Sequence, residues 1–228
     1  MNNVISLSGG KDSTAMLHMM LERGESVHSA VFFDTGWEFP EMEAHIDEVA
    51  RNTGVKVVRL RPEKPFAYWM YDRIKTKGRI GQVGYCWPNT FDRWCTELKT
   101  RQIDKHTRTI ENLQQCVGFA SDELHRIKKN NKRYPLIEYG VTEADALEYC
   151  RKLGYTWGGL YDIFKRVSCW CCPLQSIKDL RKLRHHRPEL WANLLEMDAR
   201  MPSHSPGFKD YWRAADFERR FAREDMQL

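Results

Sequence analysis

Three features of this chain predict an α/β fold with a mostly parallel sheet and helices on both faces. Strand-like and helix-like segments alternate through the first two thirds. A glycine turn, Ser8-Gly9-Gly10-Lys11-Asp12-Ser13, follows the first apolar run directly. An acid, Asp34, closes the second run. In such sheets ligands bind at the carboxyl ends of the strands, so both features should share one edge.

The elements follow in order. Asn3–Leu7 reads as the first strand, and a helix is expected from about Asp12 to Arg23. Val27–Phe33 is β-branched and aromatic and reads as the second strand. Glu41–Thr53 carries apolar residues at helical spacing and stops at Gly54. Val55–Leu60 and Gln115–Phe119 read as further strands, and Tyr134–Tyr139, with Pro135, as an edge strand. Between them, Arg73 to Trp94 is aperiodic and rich in Gly, Trp and Tyr, which suggests a long active-site loop. Thr142 should cap a helix that ends near Gly154, with Asp145 at the reciprocal position. From Tyr155 onward no strand is evident. The expected division is therefore an α/β nucleotide-binding domain, 1–154, and a small helical, cysteine-bearing lobe, 155–228.

Composition bounds the function. The chain has 228 residues, 42% hydrophobic and 29% charged, enough for one α/β core with an appended lobe. No apolar run approaches the ~20 residues of a membrane span. No basic segment followed by an apolar one opens the sequence, so a cytoplasmic location is expected. The net charge of +5 suits an anionic partner. The basic residues cluster in Arg126, Lys128, Lys129, Lys132 and Arg133, and again in Lys178, Arg181, Lys182, Arg184, His185, His186 and Arg187. Each cluster reads either as a solvated helix face or as a phosphate-contacting surface.

The turn at Ser8–Ser13 has the makings of a phosphate cradle. Glycines let backbone N–H groups turn toward one point, and the following helix aims its positive end there. Lys11 adds a charge, and Ser8 and Ser13 add hydroxyls. The Walker spacing is absent. Asp34, in Phe33-Asp34-Thr35-Gly36-Trp37-Glu38-Phe39-Pro40-Glu41, can hold Mg²⁺ on a nucleotide or accept from a ribose hydroxyl. Lys11, Asp12 and Asp34 are the candidate catalytic residues.

Seven cysteines suggest metal or redox chemistry in a reducing compartment. Cys169 and Cys172 have C-x-x-C spacing, and Cys95 opens a helix, which would lower its thiol pKa. These three would share one metal, with Cys171 or Cys86 as fourth ligand; spacing does not separate zinc from a 4Fe–4S cluster. Cys116 and Cys150 read as core. Trp69, Trp87, Trp94, Trp157 and Trp170 read as packing, and Trp37 and Trp87 are the two that fall in loops expected near the nucleotide.

These motifs together resemble a known family. Ser8–Ser13 resembles the PP-loop of the ATP-pyrophosphatase superfamily, which cleaves ATP between its α and β phosphates. The Asp34–Glu41 segment, Arg93-Trp94-Cys95-Thr96-Glu97-Leu98-Lys99, and Gly118-Phe119-Ala120-Ser121-Asp122-Glu123-Leu124-His125-Arg126 are similar to the phosphoadenosine phosphosulfate (PAPS) reductase-like branch. The resemblance runs from Asn3 to about Pro173. It implies a Rossmann-like fold of the adenine nucleotide α-hydrolase type. It also implies a nucleotide held by Ser8, Gly9, Gly10, Lys11, Asp12, Ser13, Asp34, Thr35, Gly36, Gly118, Asp122, Glu123 and Arg126. Ala120 stands where the branch carries an arginine. The cluster-bearing members imply a 4Fe–4S centre on Cys95, Cys169, Cys172 and Cys171, although this chain has its adjacent cysteine pair in the later segment.

Assimilatory members use a cysteine near their C-terminus, and no cysteine follows Cys172 here. The expected activity is thus ATP-dependent adenylation with release of AMP and pyrophosphate. The expected class is a sulfurtransferase acting on DNA or tRNA with ATP, Mg²⁺ and a sulfur donor; a homodimer is compatible with this. Sulfonucleotide reduction and a nucleotide-binding regulatory module without turnover are the alternatives.

Overall fold

The computed structural model describes residues 1–127 and 131–227. The chain forms two compact units. The first comprises Met1–Asp34, Glu38–Arg61 and Lys99–Tyr161; the second comprises Thr35–Trp37, Pro62–Leu98 and Asp162–Leu228.

In the first unit, β1 (Asn2–Ser6), β2 (Val27–Phe33), β3 (Val57–Leu60) and β4 (Leu113–Val117) form a parallel sheet in the order β3-β2-β1-β4. The chain steps outward from β1 to β3 and then returns to the other side of β1. That reversal leaves a crevice flanked by the loops after β1 and β4. Helix α1 (Lys11–Glu22) packs against β1 and against α2 (Glu41–Thr53), α5 (Pro135–Glu138) and α6 (Glu143–Lys152). Val4, Ile5, Leu7, Met16, Leu17, Phe33 and Ile46 are buried in this core. Helix α2 ends on Gly54 at φ +66, as a C-terminal glycine should. The expected cap at α6 is reciprocal: Thr142 Oγ1 accepts from Asp145 N at 3.2 Å, and Asp145 Oδ2 accepts from Thr142 N at 3.0 Å.

One element differs from expectation. Tyr134–Tyr139 holds the short helix α5, not an edge strand. Pro135 sits at its first turn, where a missing N–H costs nothing. Only Arg133, just ahead of it, reaches the sheet, bridging to Cys116.

Beneath the loop after β1 lies His45, 2% exposed, with Nε2 3.0 Å from Thr14 Oγ1 and Nδ1 without a partner. Its ring lies 4.6 Å from that of Trp157. Burial, helped by His18, pushes the imidazole pKa down from 6.5 to about 4. The unfolded chain therefore takes up this proton first as pH falls. His45 should contribute its full stabilisation above pH 6.5 and lose it between there and about 4, on the order of 3 kcal/mol. His18 is shifted in the same direction. Urea midpoints at pH 7.5 and 4.5 should show this loss, and His45→Gln should flatten it; an unaltered slope in that variant would assign the acid sensitivity elsewhere.

The second unit is helical. It contains α3 (Phe66–Tyr71), α8 (Ile177–His186), α9 (Pro188–Ala199) and α10 (Ala214–Asp225). Helix α4 (Trp94–Thr107) contributes its first turn here, and α7 is the short Leu160–Ile163. Trp37 lies edge-on to Phe66 and Trp94 with centroids 5.3 and 6.3 Å away. Asp198, 2% exposed, joins three segments: it accepts from Trp87 Nε1 at 2.9 Å and from Ala214 N at 2.8 Å, and pairs with Arg213 Nε at 3.0 Å. Trp87 is thus a packing residue of this unit, as its reading with the other tryptophans suggested. No helix among the described residues is long and apolar enough to cross a membrane.

Candidate functional site

The loop after β1 is shaped by glycine and closed by hydroxyls. Gly9 has φ +81, and a Cβ there would lie 2.5 Å from Met42 Cε. Ser13 Oγ accepts from Ser8 N at 3.2 Å, lies 3.1 Å from Ser8 Oγ and donates to Gly10 O at 3.0 Å. These bonds fold the loop onto the first turn of α1, whose N–H groups have no intrahelical acceptors.

From the other side of the crevice comes Gly118, just past β4. A Cβ on it would sit 3.0 Å from both Cα and N of Ser13 and 3.1 Å from Asp12 C. Backbone meets backbone here, and only glycine fits.

Two aromatic residues brace the loop, and the motifs did not announce either. Trp157 Nε1 donates to Gly9 O at 2.8 Å, and Tyr161 Oη accepts from Lys11 N at 2.9 Å. The signal for them is the aromatic-glycine run Tyr155-Thr156-Trp157-Gly158-Gly159, which folds with the first unit.

Lys11 does not project outward. It is 5% exposed, with Nζ 2.9 Å from Asp12 Oδ1 and 3.3 Å from Glu143 Oε1. Burial raises the Asp12 carboxyl pKa; Lys11 opposes this, and Glu143 and Glu123 add to it. Glu123 and Glu143 therefore belong to the same charged set. Asp122 Oδ1 accepts from Glu143 N at 3.1 Å, and Arg126 pairs with Glu123 and covers the Phe119 ring at 4.2 Å. Ala120, at the arginine position of the resemblance, is fully buried.

Asp34, at the end of β2, accepts from Arg61 Nε at 2.8 Å. It offers one carboxylate that already has a partner. In the second unit, Thr35 Oγ1 accepts from Trp37 N at 3.1 Å and lies 3.8 Å from Cys169 Sγ, while Gly36 makes the turn at φ +77.

The sequence profile of the phosphoadenosine phosphosulfate reductase domain matches residues 2–175. The chain belongs to the PAPS reductase domain family. Similar curated proteins include two uncharacterized proteins of Methanocaldococcus jannaschii. MJ0066 is 28% identical over 204 residues, covering 82% of this chain and 39% of that protein. MJ0973 is 24% identical over 206 residues, covering 84% and 47%. The chain thus spans less than half the length of either relative. Among solved structures, the phosphate complex of PAPS reductase from Candida auris superposes with a TM-score of 0.54 at 18% identity, covering 75% of this chain and 82% of that one. At that identity the likeness is one of fold.

PAPS reductase-like membership leaves the thiols to be judged on their geometry. Among the described residues, no three His, Cys, Asp or Glu side chains gather as a metal-holding group. Cys95 and Cys172 are near enough for their charges to interact, Cys169 faces Thr35, and Cys171 is buried where its charge bears on Tyr71. All four of these thiols lie in the second unit. The helix start does not activate Cys95: burial pushes both the Cys95 and Cys172 thiols up. Cys116 and Cys150 are fully buried core residues.

Four arginines of the two basic clusters, Arg126, Arg133, Arg181 and Arg184, pair with acids of the chain. Arg133 pairs with Glu25 and Glu138. Arg184 Nε lies 2.9 Å from Glu218 Oε2, Arg181 pairs with Glu224, and Lys182 Nζ donates to Ile163 O. Lys128 and Lys129 lie outside the described residues.

Proposed function

We propose that this chain binds ATP and transfers its adenylyl group, releasing pyrophosphate. The observation that carries this reading is the cradle at the strand-order reversal, where Gly9 turns at φ +81, Gly118 comes close to the Ser13 backbone and α1 presents its N-terminus. The nucleotide's phosphates would lie on the backbone of Ser8–Ser13, and Asp34 would accept from a ribose hydroxyl. An acceptor oxygen attacks the α-phosphorus; the bond to the bridging α–β oxygen breaks, and its electron pair leaves with pyrophosphate. The first-turn N–H groups and the helix dipole offset the charge gathered on that leaving group.

Adenylation is favoured over sulfonucleotide reduction because this sequence carries no cysteine after Cys172, and burial shifts the Cys95 and Cys172 thiols away from the thiolate that attack on sulfur needs. The sulfur-transfer step and its donor complete the reading. Iron and zinc analysis of the purified chain is its independent arm: metal lost in Cys95→Ser, Cys169→Ser and Cys172→Ser but kept in Cys150→Ser would add a centre to it.

The full chain should bind α,β-methylene-ATP in calorimetry and, with substrate, form AMP and pyrophosphate. ADP as product would overturn the reading, and binding of PAPS alone would transfer it to reduction. Lys11→Ala should weaken the ATP analogue at least ~tenfold, ~1.4 kcal/mol, because Asp12 and Glu143 then face the phosphates uncompensated.

A further inference from the structure

Arg181, Arg184 and Arg133 are matched by acids, and a further group of basic residues lies on residues 73–84. Residues 73–84 form a hairpin: Lys75 N donates to Gln82 O and Gly84 N to Arg73 O, both at 2.9 Å, and Ile74 bridges Val83. Its base is fixed. Gly84, at φ +78, would place a Cβ 2.6 Å from Met70 O, and Tyr85 N and Cys86 N donate to Trp69 O and Met70 O of α3 at 2.9 and 3.0 Å.

This hairpin holds Arg73, Lys75, Lys77 and Arg79 and no carboxylate. Lys77 and Arg79 are exposed, and neither forms an ion pair among the described residues. Beside them are apolar groups that water does not favour: Ile80 is 79% exposed and Val83 48%. Phe91 is fully exposed, held there by Asn89 Oδ1, which accepts from Phe91 N at 2.8 Å and from Asp92 N at 3.0 Å.

Between hairpin and turn is a cleft of about 330 Å³, lined by Lys75, Lys77, Arg79, Tyr85 and Asn89, and by Asp92, whose Oδ2 lies 4.0 Å from Lys75 Nζ. Gln82 also lines it, with Oε1 buried and unpartnered. An unsatisfied buried polar atom in a basic, aromatic-edged cleft needs a ligand or water to complete it.

We infer that this hairpin and cleft hold a single-stranded stretch of nucleic acid, with Lys77 and Arg79 on its phosphates and Phe91 against its bases. Cations spaced along a groove with exposed aromatic rings are what an unpaired strand requires, since every base has a face to stack and every linkage a charge. A free mononucleotide would use one or two of these cations and leave Phe91 in water. The inference deepens the adenylation reading by naming the chemistry of its acceptor, and it rests on that reading for this role alone.

The test is fluorescence anisotropy with the full chain, a labelled 20-mer of single-stranded DNA, the same sequence as RNA, and the DNA duplex, each at two salt concentrations. The single strands should bind more tightly than the duplex, and the tighter of DNA and RNA identifies the acceptor class. Lys77→Glu/Arg79→Glu should weaken binding at least ~tenfold and make the dependence of log K on log salt shallower by roughly 1.4. Phe91→Ala should weaken binding without changing that slope. Lys178→Glu, on α8, is the control and should leave binding unchanged.

Wild-type affinity in the double variant, equal loss in Lys178→Glu, or duplex preference would each overturn the inference. So would the absence of binding at low salt. Affinity for α,β-methylene-ATP in the same variant separates the two readings. Strand binding lost with ATP binding kept supports the hairpin. Strand binding kept in a wild-type chain that forms no AMP overturns adenylation alone.

Discussion

Asp198→Ala is expected to lower the thermal midpoint by on the order of 10 °C, the largest stability loss of any substitution considered for this chain. The carboxylate is buried and binds three partners at 2.8 to 3.0 Å. Its removal leaves the Trp87 indole N–H and the first N–H of α10 without acceptors, while Arg213 keeps its bond to the Asp198 backbone carbonyl. Leaving buried donors unsatisfied costs roughly 1–3 kcal/mol each. Asp198→Asn keeps one acceptor oxygen and should lose less. Differential scanning calorimetry of both variants checks the order; equal midpoints for Asp198→Ala and wild type would show that the second unit does not depend on this junction.

Gly118→Val should abolish measurable binding of α,β-methylene-ATP. Its Cβ would fall 3.0 Å from the Ser13 backbone, which sits at the start of a helix and has no flexible side chain to swing away. Either the first turn of α1 shifts or β4 does, and both line the crevice. Overpacking of this kind costs about 1–3 kcal/mol, too little to unfold an ordinary domain, so loss of binding should appear in a folded protein. Gly118→Ala should fall between. Calorimetric titration against far-UV circular dichroism separates the two effects. Wild-type affinity in Gly118→Val would place the phosphates elsewhere.

What could be read from sequence was what local chemistry dictates. The β1 turn was legible because only glycine tolerates the backbone at Gly9. The ends of α2 and α6 were legible because Gly54 and Thr142 act within one turn of themselves. Partnerships across long separations were not. Nothing near Arg184 in the sequence points to Glu218, and nothing near Arg133 points to Glu25, so charges that look like a surface turn out to be neutralised. Lys11 was read correctly as part of the loop but not in its direction, which Glu143 sets from far along the chain. Pro135 failed as a guide for a different reason: proline suits both a sheet edge and a first helical turn.

The tie between Lys11 N and Tyr161 Oη, together with that between Gly9 O and Trp157 Nε1, bears on the order of assembly. The residues of the loop are synthesised together, yet its last two clasps arrive about 150 residues later. At roughly 5–20 residues per second that interval is on the order of ten seconds or more. A nascent chain halted before Trp157 would carry every residue of the phosphate turn and still lack the groups that hold its carbonyl and amide in place. Competence to take up a nucleotide would then be acquired late in synthesis, as a property of the closed chain and not of its leading segment.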